Sequence, residues 1–371
     1  MFGEFCLRSA QAGQRLTRHA GQVEDPAAAH DVDEVDLALL DALHVNPRAT
    51  FERLASALGI SAVTAARRWQ RLSSTGRVWV SSVPGSQLGL VAAVYEIEAR
   101  PGRAEAVGRY LAQIPQVGSV YLTAGSYDVH GLIFAAHMRG LTELLFDRLS
   151  GTPDVVRARS HVGLDWFSGV RWRLGALDTG AEREVRDATD RNREPGRGAK
   201  TLDPDEHALY LALQHDGRAR YRDLAQELGT SEQQVRRRMA SMTRRGLLTF
   251  RTDFTRIEGG WPALLVLWLR VPDEALEAAG VAIGGWRETR ICFSVVGAAN
   301  LFVMAQLHRL SELNQLFARV RELGQHVEVL DQRVVLRPLK SWGRLLDHDG
   351  HATGVVPVDP WAPISFTGQQ A

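Results

Sequence analysis

The chain runs to 371 residues with a net charge of +1, 45% hydrophobic and 23% charged residues, a length of two to four domains at roughly 100–200 residues each and a balance that excludes a disordered or collagen-like polypeptide. The longest apolar stretches, Leu88–Tyr95 and Ala263–Leu269, fall short of the ~18 residues a membrane span needs. Two cysteines, Cys6 and Cys292, make neither a disulfide framework nor a metal cluster, so a cytoplasmic protein without metal or other cofactor is expected. Lysine stands only at 200 and 340, leaving arginine as nearly all of the positive charge. Guanidinium suits bidentate contacts with phosphate or guanine, although genomic composition bias accounts for the excess equally well.

One unit occurs twice. Asp33–Val80 lies over Asp203–Phe250 without a gap, matching Leu39/Leu209, Leu43/Leu213, Arg48/Arg218, Leu54/Leu224, Gly59/Gly229, Ser61/Ser231 and Gly76/Gly246. Repeats of this kind decide the fold class. The register continues more weakly through Gly125/Gly297 and Trp172/Trp342. The chain divides accordingly into a loose tail (1–31), a winged helix-turn-helix (32–84), an α/β sandwich (85–174), a polar linker (175–200), a second winged helix-turn-helix (201–256), a second sandwich (257–346) and a second tail (347–371).

In chain order, Asp33 caps a first helix carrying Val35, Leu39, Leu40 and Leu43 at helical spacing. Thr50 opens a short second helix, Gly59 supplies the positive φ of a tight turn, and Ser61 caps a third helix, Ser61–Ser74, with Ala65, Trp69 and Leu72 inward. Val78, Val80 and Val83 then read as strands of a wing. Acids gather in the first helix, whereas Arg67, Arg68, Arg71 and Arg77 crowd the third helix and wing; the second copy has Arg236, Arg237, Arg238, Arg244 and Arg245 there. A positive face of this kind fits double-stranded DNA. Ser61 and Thr64, with Ser231, Gln233 and Gln234, stand at the helix starts, where base edges are read. A basic solvated face of a protein-binding bundle is the competing reading.

Each wing is followed by strand, helix, two strands, helix and strand: Leu88–Ile97, Arg103–Ile114, Gln116–Leu122, Asp128–Phe134, Leu141–Leu149 and Asp154–Leu164 in the first copy. This β-α-β-β-α-β order is ferredoxin-like. The fold class is therefore α+β, a tandem repeat of winged helix-turn-helix plus ferredoxin-like domain.

These residues resemble the Lrp/AsnC (feast/famine) family, most specifically in Gly59-Ile60-Ser61 with Arg68, Leu72 and Gly76 after it, and in Gly125-Ser126-Tyr127-Asp128, where the family typically carries Gly-Asp-Tyr-Asp or a close variant. The resemblance implies a cytoplasmic, sequence-specific DNA-binding transcriptional regulator. Its RAM-like sandwich would sense an amino acid or similar small effector and join chains into a homo-oligomer. Gly125, Ser126, Tyr127 and Asp128 are the implied effector residues, with Gly297 and Asn300 in the second copy, whose Gly297-Ala298-Ala299-Asn300 lacks the aromatic and the carboxylate. The first loop equally suits a tight turn in which Asp128 bonds its own backbone. Arg68 and Arg238 match the family's usual arginine, for which bracing the helix is the alternative role. Two differing reading helices imply an operator that need not be palindromic.

An enzyme of the same fold is the other reading, because the tandem architecture also resembles the siroheme decarboxylases. These need basic residues for propionates and histidines for acid-base work, and His130, His137 and His161 are available. However, Ser82-Val83-Pro84-Gly85 and Ile257-Glu258-Gly259-Gly260 stand where an Arg-Arg-Phe-Gly-type segment is needed. No catalysis is expected.

Overall fold

A computed structural model describes residues 32–169, 172, 174–186, 200–324 and 326–364, and the tail expected over 1–31 lies outside them. Asp33 caps α1 (Glu34–Val45): its carboxylate accepts the Asp36 N–H at 2.8 Å and Asp36 accepts the Asp33 N–H at 3.3 Å, satisfying two donors that a helix start leaves open. Thr50 caps α2 (Phe51–Leu58), Gly59 turns the chain at φ 65°, and Ser61 caps α3 (Ala62–Ser74). There follow β1 (Val78–Pro84), β2 (Val91–Ala99), α4 (Ala104–Ala112), β3 (Val117–Thr123), β4 (Val129–Ala135), α5 (Met138–Glu143) and β5 (Val155–Ser168).

After α6 (Thr179–Val185) the same succession of elements begins again, with α7 (Pro204–His215), α8 (Tyr221–Glu227), α9 (Glu232–Arg244) and β6 (Leu248–Phe254). It continues through β7 (Ala263–Arg270), α10 (Leu276–Gly284), β8 (Thr289–Val295), β9 (Leu301–Leu307), α11 (Leu313–Glu322) and β10 (Glu328–Ser341), and closes on two short strands, β11 (Arg344–Leu346) and β12 (Ala352–Val355). Asp203 with Glu206 and Ser231 with Gln234 form reciprocal caps on α7 and α9.

The wings expected on the two helix-turn-helix units are absent. β1 pairs instead with β6, antiparallel from Val78 opposite Phe254 to Pro84 opposite Leu248, so each unit gives one strand to a shared ribbon. Val78 through Val83 are all buried, and a strand enclosed on both faces has no exposed hairpin to offer. Two arginines lock the same junction. Arg48 donates to the Gly217 and Ala219 carbonyls at 2.5 and 3.1 Å, and Arg218 returns to Pro47 and Ala49 at 2.7 and 2.8 Å.

The remaining strands do not form two separate four-stranded sheets. In the order β10-β3-β4-β2-β5-β8-β9-β7 they join edge to edge, and β7 pairs back onto β10, closing an eight-stranded barrel without a free edge. Along β2, Ala92 and Val94 face the interior with Phe293, Phe302 and Trp268, whereas Ala93, Tyr95 and Ile97 face outward under α4. α10 and α11 cover the other side over Leu265, Leu267 and Val303.

The described parts of two segments expected to be loose, 175–186 and 347–364, are docked. In the linker expected over 175–200, α6 buries Val185 against Leu39 and Leu54 of the first helical unit, and the Asp41 carboxylate accepts the N–H groups of Leu174, Ala176 and Leu177 at 2.8–3.1 Å. In the second expected tail, Gln214 receives the Val358 N–H at 2.6 Å and donates to its carbonyl at 2.8 Å, with the Tyr210 hydroxyl donating to the same carbonyl. Polar composition hid both attachments, because each is made by backbone groups meeting a buried polar side chain.

Candidate functional site

The two third helices, α3 and α9, divide their arginines between bracing and display. Arg68 donates to Asp33 at 2.6 Å and to Asp36 at 2.9 Å, and Arg71 to Asp36 at 2.5 Å. Asp33 first, then Asp36, holds the Arg68 pKa above its ordinary value. Arg77 donates to Glu258 at 2.7 Å, Arg238 to Asp205 at 2.5 Å and Arg245 to Glu206 at 2.5 Å. These five arginines, expected on DNA, therefore tie their elements to acids of neighbouring segments. Ser61, Thr64, Ser231 and Gln234 are engaged in the helix caps. Among the described residues, Arg67, Arg237 and Arg244 are exposed and carry no ion pair or hydrogen bond, and Gln233 is likewise exposed.

The display differs between the helices. On α9, Arg236 pairs with Glu232 at 3.1 Å and lies over the Tyr221 ring at 4.4 Å. At the matching place on α3 stands Ala66, beside Val63 at 77% exposure. The gap so left is a groove of about 570 Å³ lined by Phe51, Val63, Ala66, Trp69 and Arg218. Trp69 is half-buried there, with the Arg218 guanidinium 5.1 Å from its ring centre.

The residues of the two expected effector loops meet the backbone of neighbouring strands. The Asp128 carboxylate accepts the Ala99 N–H at 2.8 Å, and Asn300 accepts the Val271 N–H at 2.9 Å while donating to its carbonyl at 2.7 Å. Asp128 thus gives one carboxylate oxygen to the backbone of β2, whereas Asn300 has both its oxygen and its nitrogen engaged by the Val271 backbone. Gly125, at φ 116°, sits against the Arg333 side chain, and Gly297, at φ 150°, sits against His161. Ser126 is exposed. Tyr127 is buried beneath the guanidiniums of Arg159, Arg333 and Arg157, whose carbons lie 4.4, 5.0 and 5.2 Å from its ring centre.

Under these loops the barrel holds a polar cluster. Glu96, fully buried, is ion-paired with Arg333 and, at 2.5 Å, with Arg159; the Trp268 indole donates to it at 3.3 Å, and His130 and His161 stand 3.7 and 3.8 Å away. Burial works to raise the Glu96 pKa, but His130, Arg333 and Arg159 outweigh it and bring the carboxyl to about 2. Burial, with Arg159 and Arg333 nearby, lowers that of His161. Sequence reasoning found the two histidines but missed Glu96, Arg159 and Arg333. The signal was present: Glu96 interrupts an apolar strand at a position whose period-two neighbours, Ala92 and Val94, point inward.

Comparison with known proteins matches two stretches, 32–73 and 202–243, to the AsnC-type helix-turn-helix domain, and 92–167 to the Lrp/AsnC ligand binding domain. The regulator Ptr1 of Methanocaldococcus jannaschii is 26% identical over 121 residues, 32% of this chain and 82% of its own. The proline dehydrogenase transcriptional activator of Rhodobacter capsulatus is 24% identical over 36% of this chain and 91% of its own. Among solved structures, the siroheme decarboxylase NirDL covers 83% of this chain and 93% of its own with a TM-score of 0.53 at 15% identity, a likeness of fold. The polypeptide thus carries two AsnC-type helix-turn-helix domains and an Lrp/AsnC ligand binding domain, and its curated relatives are named as transcriptional regulators.

Proposed function

We propose that the protein is a DNA-binding transcriptional regulator in which two copies of one unit, 32–174 and 201–346, are fused into a pseudo-dimer. The observation that carries this reading is the set of unpaired, exposed arginines on two capped third helices, Arg67 on the first and Arg237 and Arg244 on the second. Unpaired guanidiniums on a helix that fits the major groove supply phosphate and guanine contacts. α9 contributes Gln233 and the larger charge, whereas Val63 and Ala66 on α3 offer apolar contact to thymine methyl groups, so the operator is read as two unlike half-sites.

The small effector, an amino acid or similar molecule, is proposed to bind at the exposed rims formed by Gly125-Ser126 and Gly297, above Tyr127 and Arg159. Further chains would associate through exposed apolar residues such as Val156, Leu164 and Leu336. A gel-shift on the protein's own upstream region, with salt varied, tests the reading. Saturable binding that weakens steeply with salt and is lost in an Arg237→Ala, Arg244→Ala variant is expected; no binding at low salt would overturn it. An absorbance spectrum of the purified protein tests the tetrapyrrole alternative, which requires a strong visible band.

A further inference from the structure

A second polar cluster lies where α1, β6 and β8 meet, away from the effector loops. Three guanidiniums converge on one carboxylate. Arg256 and, at 3.4 Å, Arg251 pair with Asp253, and Arg290 stands 3.8 Å from it. Asp253 is 1% exposed, and the Arg251 and Arg290 side chains are 4% exposed. Asp253 also accepts the Ser341 hydroxyl at 3.0 Å, and Arg251 donates to the Gly169 carbonyl. Both terminal nitrogens of Arg290, one of Arg256 and Nε2 of His44 are buried without a hydrogen-bond partner.

These unpartnered atoms surround one feature. Trp172 and Phe254 stack with ring centres 5.7 Å apart. Arg290 lies 4.2 Å and Arg256 4.7 Å from the Trp172 ring centre, and His44 packs edge-on to both rings. The His44 ring is oriented by Nδ1 donating to the Leu40 carbonyl at 2.7 Å; burial first, then Arg290, holds its pKa well below the ordinary histidine value, so the ring is neutral and Nε2 is an acceptor. Three guanidiniums and one carboxylate leave the local charge close to +2 in a mostly buried place, an unfavourable arrangement that aromatic faces offset only in small part. Burial, reinforced by the neighbouring guanidiniums, drives the Arg256 and Arg290 values well below the ordinary arginine range.

The fold itself does not require the cluster. At the corresponding positions of the other half stand Ser81 for Arg251, Val83 for Asp253, Gly118 for Arg290 and Gln214 for His44. There the space is filled by the chain's own C-terminal segment, held by Gln214 at Val358. Nothing among the described residues plays that part beside His44 and Arg290.

We propose that Arg290 and Arg256, beside the His44 ring, form a binding site for a compact dianionic oxyanion, phosphate or sulfate, either free or as the terminal group of a phosphate ester. Such an anion brings charge near −2 and several acceptor oxygens to the same place, matching the charge and the unpartnered guanidinium nitrogens together. It would sit between the first helical unit, the shared ribbon and the barrel.

The test is thermal unfolding of the full chain with inorganic phosphate, sulfate and glycerol phosphate, each against sodium chloride at equal ionic strength. An anion at about ten times its Kd is expected to raise Tm by roughly 2 °C, and the rise is absent in Arg290→Gln. In chloride alone that variant melts no lower than the parent, because it removes an unneutralised buried charge. Arg256→Gln, at a part-exposed position, provides a second variant, and calorimetric titration of phosphate reads binding directly. A rise with glycerol phosphate at least equal to that with phosphate assigns an ester; a rise with the inorganic ions alone assigns the free ion. No rise with any of the three, or an equal rise in Arg290→Gln, overturns the proposal.

Discussion

The two halves of the barrel share their strands and differ in what the strands carry inward. Positions 172 apart hold Glu96 and Trp268, His130 and Phe302, His161 and Arg333, and Arg159 and Asp331. These partners meet across the barrel: the Trp268 indole donates to Glu96, His130 stacks on Phe302 at 5.3 Å, and Arg333 pairs with Glu96. If the first half met a copy of itself, two Glu96 carboxylates would share one dry space and no Arg333 would be there. The halves are therefore complementary rather than merely similar, and the difference between them keeps each paired with the other.

Removing the carboxylate breaks this complementarity most severely. Glu96→Ala leaves Arg333 and Arg159 without their anion and is expected to cost ~3–5 kcal/mol, as breakage of buried pairs does, read from urea unfolding; a loss under 1 kcal/mol would show that the cluster is not a stabilising seam. The same carboxyl makes stability depend on pH. Its folded value of about 2 lies below its ordinary value of 4.5, so its contribution is complete above the unfolded value and is lost as pH falls from about 4.5 towards 2. Urea midpoints measured across that window should fall more steeply for the parent than for Glu96→Gln.

On the reading helices the contrast is expected to be functional. Arg237→Ala should reduce the slope of log affinity against log salt by about 1 and leave stability within ~0.5 kcal/mol, whereas Arg71→Ala should lower stability through the buried Asp36 it abandons. Equal effects of the two on unfolding would remove the distinction between bracing and display. His130→Phe, which removes the ring that stands 3.7 Å from Glu96 and helps to hold its carboxyl down, is expected to destabilise by about 1 kcal/mol, as melting would show. The smallest effect is assigned to Asp128→Asn, which copies Asn300: under ~0.5 kcal/mol, with effector binding unchanged. Loss of effector binding in that variant would restore a recognition role to the carboxylate.

The helical units were legible because their signals are local. Asp33, Thr50, Gly59 and Ser61 act within four residues of themselves, and the structure uses each as the spacing predicts. The arginines of α3 and α9 were legible as a set but not one by one. Which of them brace depends on acids about 35 residues upstream, such as Asp36 and Asp205. The ribbon of β1 and β6 and the barrel closure of β10 on β7 and β3 were hidden, because strand pairing across such separations leaves no periodicity. Val78-Trp79-Val80, apolar at three successive positions, did carry the mark of a strand covered on both faces, and the wing reading passed over it.

The exchange of Arg48 and Arg218 across the ribbon has a consequence for dose. A reader assembled from separate subunits loses its second head on dilution, so occupancy of a two-part site falls with the square of subunit concentration once dissociation sets in. Here the clasp and the β1–β6 ribbon hold both heads in one molecule. If both heads read DNA as proposed, their local concentration stays fixed however few copies are present, and the response to protein level would be linear where a dissociating pair would be quadratic.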